Sequence, residues 1–248
     1  MKLPYNTTMI SRFFFPHPWP EAATASLPEA LAHHAARVLR LRDGDPVILF
    51  DGRGGERGAI LRIRGRDVSV DLGEWLDIER ESPLRVVLVQ ALASGDKMDW
   101  IVQKAVELGV EAVVPLQAER SVLRLSGERG DRRVEHWRQI AVSACEQSGR
   151  NRVPAVGALR ALREYLAEAT QAARLMLDPQ CGERLSELPR PAGALHILIG
   201  PEGGWSDAEL ALCRAAGCRG VGLGPRVLRT ETAGLATLAA MQALWGDF

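Results

Sequence analysis

The chain has 248 residues, 46% of them apolar and 5% aromatic, with 31 Lys and Arg balanced by 31 Asp and Glu. That length and apolar content suffice for one large or two ordinary domains with a proper core, which excludes a disordered polypeptide. Zero net charge requires any surface for a polyanion to be local. The cations are 28 Arg against 3 Lys, a bias that suits bidentate phosphate contacts and also accompanies an Ala-rich composition.

Cys145, Cys181, Cys213 and Cys218 include no pair with the two-residue gap of a zinc or redox motif, and the five histidines show no metal-ligand spacing. No metal is expected, and a reducing compartment, the cytoplasm, is the expected setting. Phe13–Phe15 is too short for the apolar core of a signal peptide, and no run of apolar residues is long enough to span a membrane. Residues 1–8 read as a loose tail, with Met9 as a second possible start.

Taken in chain order, Ala30–Leu41 has helical character and carries His33, His34, Arg37 and Arg40. Residues 45–73 alternate apolar and polar positions and are broken by Asp51-Gly52-Arg53-Gly54-Gly55, which predicts strands of a small barrel or sandwich. A charged stretch at 74–83 marks a domain boundary. Beyond it, Arg85–Leu92 reads as a continuous apolar run, the pattern of a strand buried on both faces. Asp96 is placed to cap a helix whose face of Ile101, Val102, Ala105 and Leu108 ends at Gly109. Ala112–Leu116 predicts a strand, and residues 131–148 and Leu159–Ala173 predict helices. Leu175–Leu177, Leu195–Ile199 and Val221–Leu223 predict short strands, alternating with helices at 207–216 and 231–245. Cys213 and Cys218 flank a helix end as small core residues. The alternation implies an α/β domain with a mostly parallel sheet.

The common phosphate-loop, dinucleotide and nucleophile-elbow motifs are absent. Two glycine loops stand in their place. Gly200-Pro201-Glu202-Gly203-Gly204-Trp205 follows an apolar strand, and Ser206 with Glu209 then forms a capping box. Glycines at such strand ends let a ligand approach the backbone, and Glu202 among them can hold a ligand or accept a proton. In Gly222-Leu223-Gly224-Pro225-Arg226-Val227-Leu228-Arg229-Thr230-Glu231, Thr230 can cap the following helix and Glu231 suits its dipole. Arg229 does not suit that dipole, and a cation at this end points to an anionic partner or intermediate.

Together, Gly200–Gly204 and Leu223–Ala233 resemble the RsmE-type ribosomal RNA methyltransferases of the SPOUT superfamily. Ser11–Phe14, His34 with Val38–Leu41, Gly95–Gly109, Glu119–Ser121 and Glu146–Arg150 extend the likeness, in order, over nearly the whole chain. The departures are the tail before Ser11 and Trp205, where other apolar residues are usual. The resemblance implies an N-terminal PUA-like β-barrel over residues 1–76 and a C-terminal SPOUT α/β domain with a trefoil knot over 77–248. It implies a homodimer that transfers a methyl group from S-adenosyl-L-methionine (SAM) to N3 of a single uridine of 16S ribosomal RNA, within the 30S subunit. The cofactor pocket would then draw on Met176, Leu177, Ile199, Gly200, Gly203, Gly204, Leu223, Gly224, Leu228, Thr230, Thr232 and Ala233.

Uridine N3 carries a proton at neutral pH, so its methylation requires deprotonation and a cation near the uracil oxygens. Arg229 is the candidate for that cation, and Glu202 or Glu231 for the proton acceptor. Glu231 at a helix N-terminus would be the poorer base. Arg12, His34, Arg37, Arg40, Lys97, Arg120 and Arg150 lie in family-like blocks and are the candidate RNA contacts. The alternatives are a catalytically silent RNA-binding module, a SPOUT enzyme acting on another RNA, and, more distantly, a small-molecule enzyme.

Overall fold

The computed structural model describes residues 10–248, so the expectations for residues 1–8 and Met9 fall outside the described residues. The chain divides into two units. The first runs to Glu81 and also takes in Cys145–Val153; the second holds Ser82–Ala144 and Pro154–Phe248.

The first unit is a five-stranded sheet in the order β1-β3-β4-β5-β2, from β1 (Ser11–Phe14), β2 (Thr24–Ser26), β3 (Pro46–Phe50), β4 (Glu56–Arg64) and β5 (Asp67–Leu76). Val47 and Leu49 on β3, Ala59 and Leu61 on β4, and Val70 on β5 point inward with Phe13, as the period-two pattern requires. β1 and β2, too short to show a period, were not among the expected strands. The expected helix at 30–41 is shorter and of mixed type. α1 (Glu29–His33) continues as one π turn, His34–Val38, in which the Leu39 amide donates to the His34 carbonyl. Arg40 then adopts φ 56°, the one positive value at a non-glycine among the described residues, and the helix stops there.

A buried charge network ties Cys145–Val153 into this unit. Arg12 donates to Glu56 at 2.7 Å and to Asn151 at 2.6 Å, and Arg80 donates to the same Glu56 oxygen at 2.9 Å. Arg150 pairs with Glu81, and the Phe14 amide donates to Glu146 at 3.0 Å. Burial pushes the Glu56 carboxyl up, but the Arg80 and Arg12 guanidinia and the Asn151 amide outweigh it and bring its pKa from 4.5 to about 2. A carboxyl whose pKa falls on folding stabilises the fold above its unfolded pKa, and that contribution is lost as the pH drops from 4.5 towards 2. Glu56→Gln leaves the 10%-exposed Arg12 side chain short of its counter-charge and is expected to cost about 3 kcal/mol at pH 7. Urea unfolding at pH 7 and pH 3 checks this: the difference between wild type and variant should shrink at pH 3. An equal difference at both pH values would refute it.

The second unit is a parallel sheet in the order β12-β10-β11-β6-β7-β8. Its strands are β6 (Val86–Ala91), β7 (Ala112–Gln117), β8 (Ala155–Val156), β10 (Ala173–Leu177), β11 (Leu195–Ile199) and β12 (Arg219–Val221), while β9 (Arg160–Ala161) also pairs with β7. Helices α2 (Lys97–Glu107), α3 (Gly127–Ser148), α4 (Leu162–Ala167), α5 (Asp207–Ala215) and α6 (Thr230–Trp245) connect or follow the strands. The apolar runs read from the sequence form the central strands. Val86, Leu88, Val89 and Ala91 of β6 are wholly buried, as two-sided coverage demands. From β6 the chain winds to β7 and β8 on one side, then crosses to β10 on the other, returns to β11 between β10 and β6, and ends at β12 beyond β10. The gap between β6 and β11 is therefore the point where the winding direction changes, the usual binding edge of such sheets.

Four local expectations are corrected. The segment 159–173 is not one helix: α4 is six residues long, started by Glu164 accepting from the Ala161 amide. It is stopped when Arg174 on β10 takes the carbonyls of Leu166 and Glu168, which a longer helix would use internally. Asp96 sits at the N-terminal boundary of α2 without a side-chain cap. Thr230 does not cap α6 either; it is the first helical residue, and Arg229 holds the cap position. The last strand ends at Val221 because the backbone of Gly222 instead bonds Glu183 and Leu185. By contrast, Ser206 and Glu209 form the reciprocal capping box, and Gly109 at φ 78° ends the turn after α2. α6 is apolar on nearly every side and packs on α2, β6 and β11.

Candidate active site

The loops after β6, β7, β10 and β11 meet the start of α6 around a cavity of about 660 Å³. That volume lies within the ordinary range for small-ligand sites. Leu177, Trp205, Leu210, Val227 and Leu228 line part of it, and Asp178, Glu202, Asp207 and Glu231 supply carboxylates.

The floor is shaped by close backbone approach. A Cβ on Gly203 would lie 2.9 Å from Arg120 Cβ, and one on Gly200 would lie 3.2 Å from the Trp205 indole. Gly204 at φ 69° turns the chain into α5. Arg120 reaches over this loop, donating to the carbonyls of Gly203 (3.4 Å) and Trp205 (3.3 Å). Glu209 takes the Glu119 amide at 2.8 Å with one oxygen and the Ser206 amide with the other, holding the two loops together.

Three charges converge at one side. Glu202 Oε1 accepts from both the amide and the hydroxyl of Ser94, each at 2.8 Å. Lys97 Nζ lies 3.4 Å from Glu202 and 3.4 Å from Glu231. Burial raises the Glu202 pKa, but the two Ser94 hydrogen bonds and the Lys97 ammonium more than reverse this and hold it below the usual carboxylate range. Glu231 Oε2, the oxygen that faces Lys97, is shut off from solvent and has no hydrogen bond among the described residues. Arg229, at the cap position beside it, is exposed and has no side-chain hydrogen bond or ion pair among the described residues.

Of the candidates read from the sequence, this cavity brings together Arg229, Glu202, Glu231, Leu177, Gly200, Gly203, Gly204, Leu228 and Thr230, with Lys97 and Arg120. Met176, Ile199 and Ala233 are buried behind the wall, and Leu223, Gly224 and Thr232 do not line it. Lys97 and Arg120, expected at RNA, are engaged in the cavity itself. Arg12 and Arg150 are corrected: their guanidinia are buried in the ion-pair network of the first unit and offer no surface to a phosphate. His34, Arg37 and Arg40 are exposed on the first unit, where Arg37 with His33 and Arg66 lines a cleft of about 910 Å³. Ser94, Asp178 and Gln90 (described below) were missed.

Residues 80–242 match the RNA methyltransferase domain, and residues 27–67 match the RNA methyltransferase PUA domain. The chain belongs to the RNA methyltransferase family. Within it, ribosomal RNA small subunit methyltransferase E of Bacillus subtilis is 35% identical over 232 residues, 89% of this chain and 90% of that protein. The protein of the same name from Mycobacterium tuberculosis is 32% identical over 247 residues, 95% of this chain and 93% of its own. A crystal structure of ribosomal RNA small subunit methyltransferase E from Neisseria gonorrhoeae, bound to SAM, is 41% identical with a TM-score of 0.91, covering 96% of this chain and 99% of that one. This family membership accords with the expected PUA-like N-terminal domain followed by an α/β RNA methyltransferase domain. Among the described residues no helix is long and apolar enough to cross a membrane, and no cluster of three metal-ligating side chains occurs.

Proposed function

We propose that the chain transfers a methyl group from SAM to N3 of one uridine of 16S ribosomal RNA in the small ribosomal subunit. The observation that carries this reading is Arg229, which lines the cavity with Glu231 and has no side-chain partner among the described residues, in a member of the RNA methyltransferase family. The cavity suits SAM: glycines bring the backbone close at Gly200 and Gly203, apolar side chains can cover an adenine, and carboxylates suit a sulfonium and an ammonium. The buried indole N–H of Trp205 has no partner among the described residues. Leu177, Leu228 and the Gly200–Gly204 backbone would hold it.

When bound, SAM supplies an electrophilic methyl group. The chain's own part is to make N3 a nucleophile. Glu231, expected to be the poorer base from its place in the first turn of α6, nevertheless takes the N3 proton in this reading, because its Oε2 has no hydrogen bond among the described residues while Glu202 is held by Ser94. Arg229 stabilises the charge that develops on the uracil oxygens. Glu202, one oxygen of which is engaged by Ser94 and Lys97, anchors the loop and holds Lys97 in place. Enclosure by both glycine loops aligns the two reactants, an effect on the order of 7–11 kcal/mol at best. The first unit grips RNA through exposed cations such as Arg37 and Arg40. The trefoil knot, the homodimer, the assembled 30S particle and the cytoplasm belong to the same reading.

The test is incubation with labelled SAM and unmodified 30S subunits, followed by digestion and nucleoside analysis. The expected product is N3-methyluridine from a single site of 16S RNA. Label in another nucleoside, or none, would overturn the reading.

A further inference from the structure

Gln90 lies on β6, a strand covered on both faces, and is 0% exposed. A glutamine in such a position would ordinarily be replaced by an apolar residue at no loss to packing. Its amide donates to the Ala91 carbonyl at 3.0 Å and to Thr230 Oγ1 at 2.9 Å. Its own oxygen is buried with no hydrogen-bond partner among the described residues, facing the Cα of Gly234, where a Cβ would lie 3.2 Å away. The amide orientation follows from the network, because the reverse one would set two oxygens against each other at Ala91.

Thr230 passes the contact on. With one lone pair taken by Gln90, its hydroxyl proton is donated to the Gly200 carbonyl at 2.6 Å. That carbonyl belongs to the Gly200–Pro201 peptide, which has no N–H to donate, so its carbonyl is the group through which a hydrogen bond can hold the peptide. Two residues further on stands Glu202; on either side of Thr230 stand Arg229 and Glu231. One buried chain, Gln90 to Thr230 to Gly200, thus joins the two loops that carry the proposed catalytic groups.

We infer that Gln90 and Thr230 are positioning residues: their hydrogen-bond chain sets the first glycine loop in register with Arg229 and Glu231, at the expense of a buried unpaired oxygen. The inference rests on the methyl-transfer reading and gives it a fixed geometry. It separates stability from turnover, which a merely structural glutamine would not do. Gln90→Leu removes the unpaired oxygen but also the donors to Ala91 and Thr230, two opposed effects, and is expected to stay folded with a fall in melting temperature of only a few degrees. Its kcat on 30S subunits is expected to fall about tenfold or more, because the reacting groups lose alignment. KM for SAM should change much less than kcat.

Thr230→Val is expected to lose kcat similarly, and Thr230→Ser to recover most of it. The double variant with Gln90→Leu should be little worse than Thr230→Val alone, since both act through one chain of bonds. Wild-type kcat in Gln90→Leu, or a loss that tracks a fall in melting temperature larger than those few degrees, would overturn the inference. So would additive losses in the double variant. Should the wild type itself leave 16S RNA unlabelled, the methyl-transfer reading fails. Amide exchange at residues 200–204 and 229–233 then decides the chain of bonds alone: faster exchange in Gln90→Leu supports it, and unchanged exchange refutes it.

Discussion

Arg229→Ala is expected to lower kcat/KM on 30S subunits by about 10²–10³-fold while SAM binds with nearly unchanged affinity. The argument starts from an unfavourable placement. A guanidinium at the N-terminal end of α6 opposes the helix dipole, and no carboxylate or carbonyl of the described residues takes its protons. Most other arginines near the sheet edges are already engaged, as Arg120 and Arg174 are by backbone carbonyls and Arg85 by Glu111. A cation held against the dipole and left unpaired serves a charge that arrives with the substrate. Its contribution belongs to the transition state, where the uracil has become anionic, and so it appears in kcat rather than in SAM affinity. Arg229→Lys keeps the charge but loses the planar fork and should recover part of the loss. Single-turnover rates at saturating SAM, with calorimetric SAM binding, separate the two effects. A wild-type single-turnover rate in Arg229→Ala would remove Arg229 from the chemistry.

How far the sequence reveals this site depends on which interactions are local. The capping box at Ser206 and Glu209 joins residues three apart, and its pattern is readable directly. The parallel strands are equally legible, since burial on both faces leaves an unbroken apolar run. The segment 159–173 is not legible, because α4 ends on Arg174 of the following strand, a tertiary contact that helix propensity does not encode. Arg12 and Arg150 show the same limit with charge. A sequence displays the cation but not Glu56 or Glu81, its distant partners.

Gln90 was visible in a sense. It is the one amide in a run otherwise read as apolar, and a polar residue in a doubly covered strand is itself a signal of a buried partner. What could not be seen is that the partner is Thr230, 140 residues on. Likewise the two glycine loops identify themselves as strand-end loops. Only the fold shows that Ser94, in the loop after β6, holds one oxygen of Glu202 and so leaves the two glutamates chemically unequal.

That inequality predicts different outcomes for two similar substitutions. Glu231→Gln is expected to lower the rate at pH 7 by about 10²–10⁴-fold, the usual worth of a positioned general base. Glu202 is a poorer acceptor, since burial alone would raise its pKa but Ser94 and Lys97 hold it low. Glu202→Gln therefore acts through the loop: it weakens the tie to Ser94, loosens the cavity floor and raises KM for SAM more than it lowers kcat. The pH dependence separates them further. Without Glu231 the N3 proton must leave to solvent, so the Glu231→Gln rate should climb about tenfold per pH unit towards the ionisation of uracil itself. The wild-type rate should vary little across the same neutral range. A Glu231→Gln enzyme with a flat, near-wild-type profile would transfer the role of base away from Glu231. A steep alkaline rise in Glu202→Gln instead would place it on Glu202, with Ser94 as the group that tunes it.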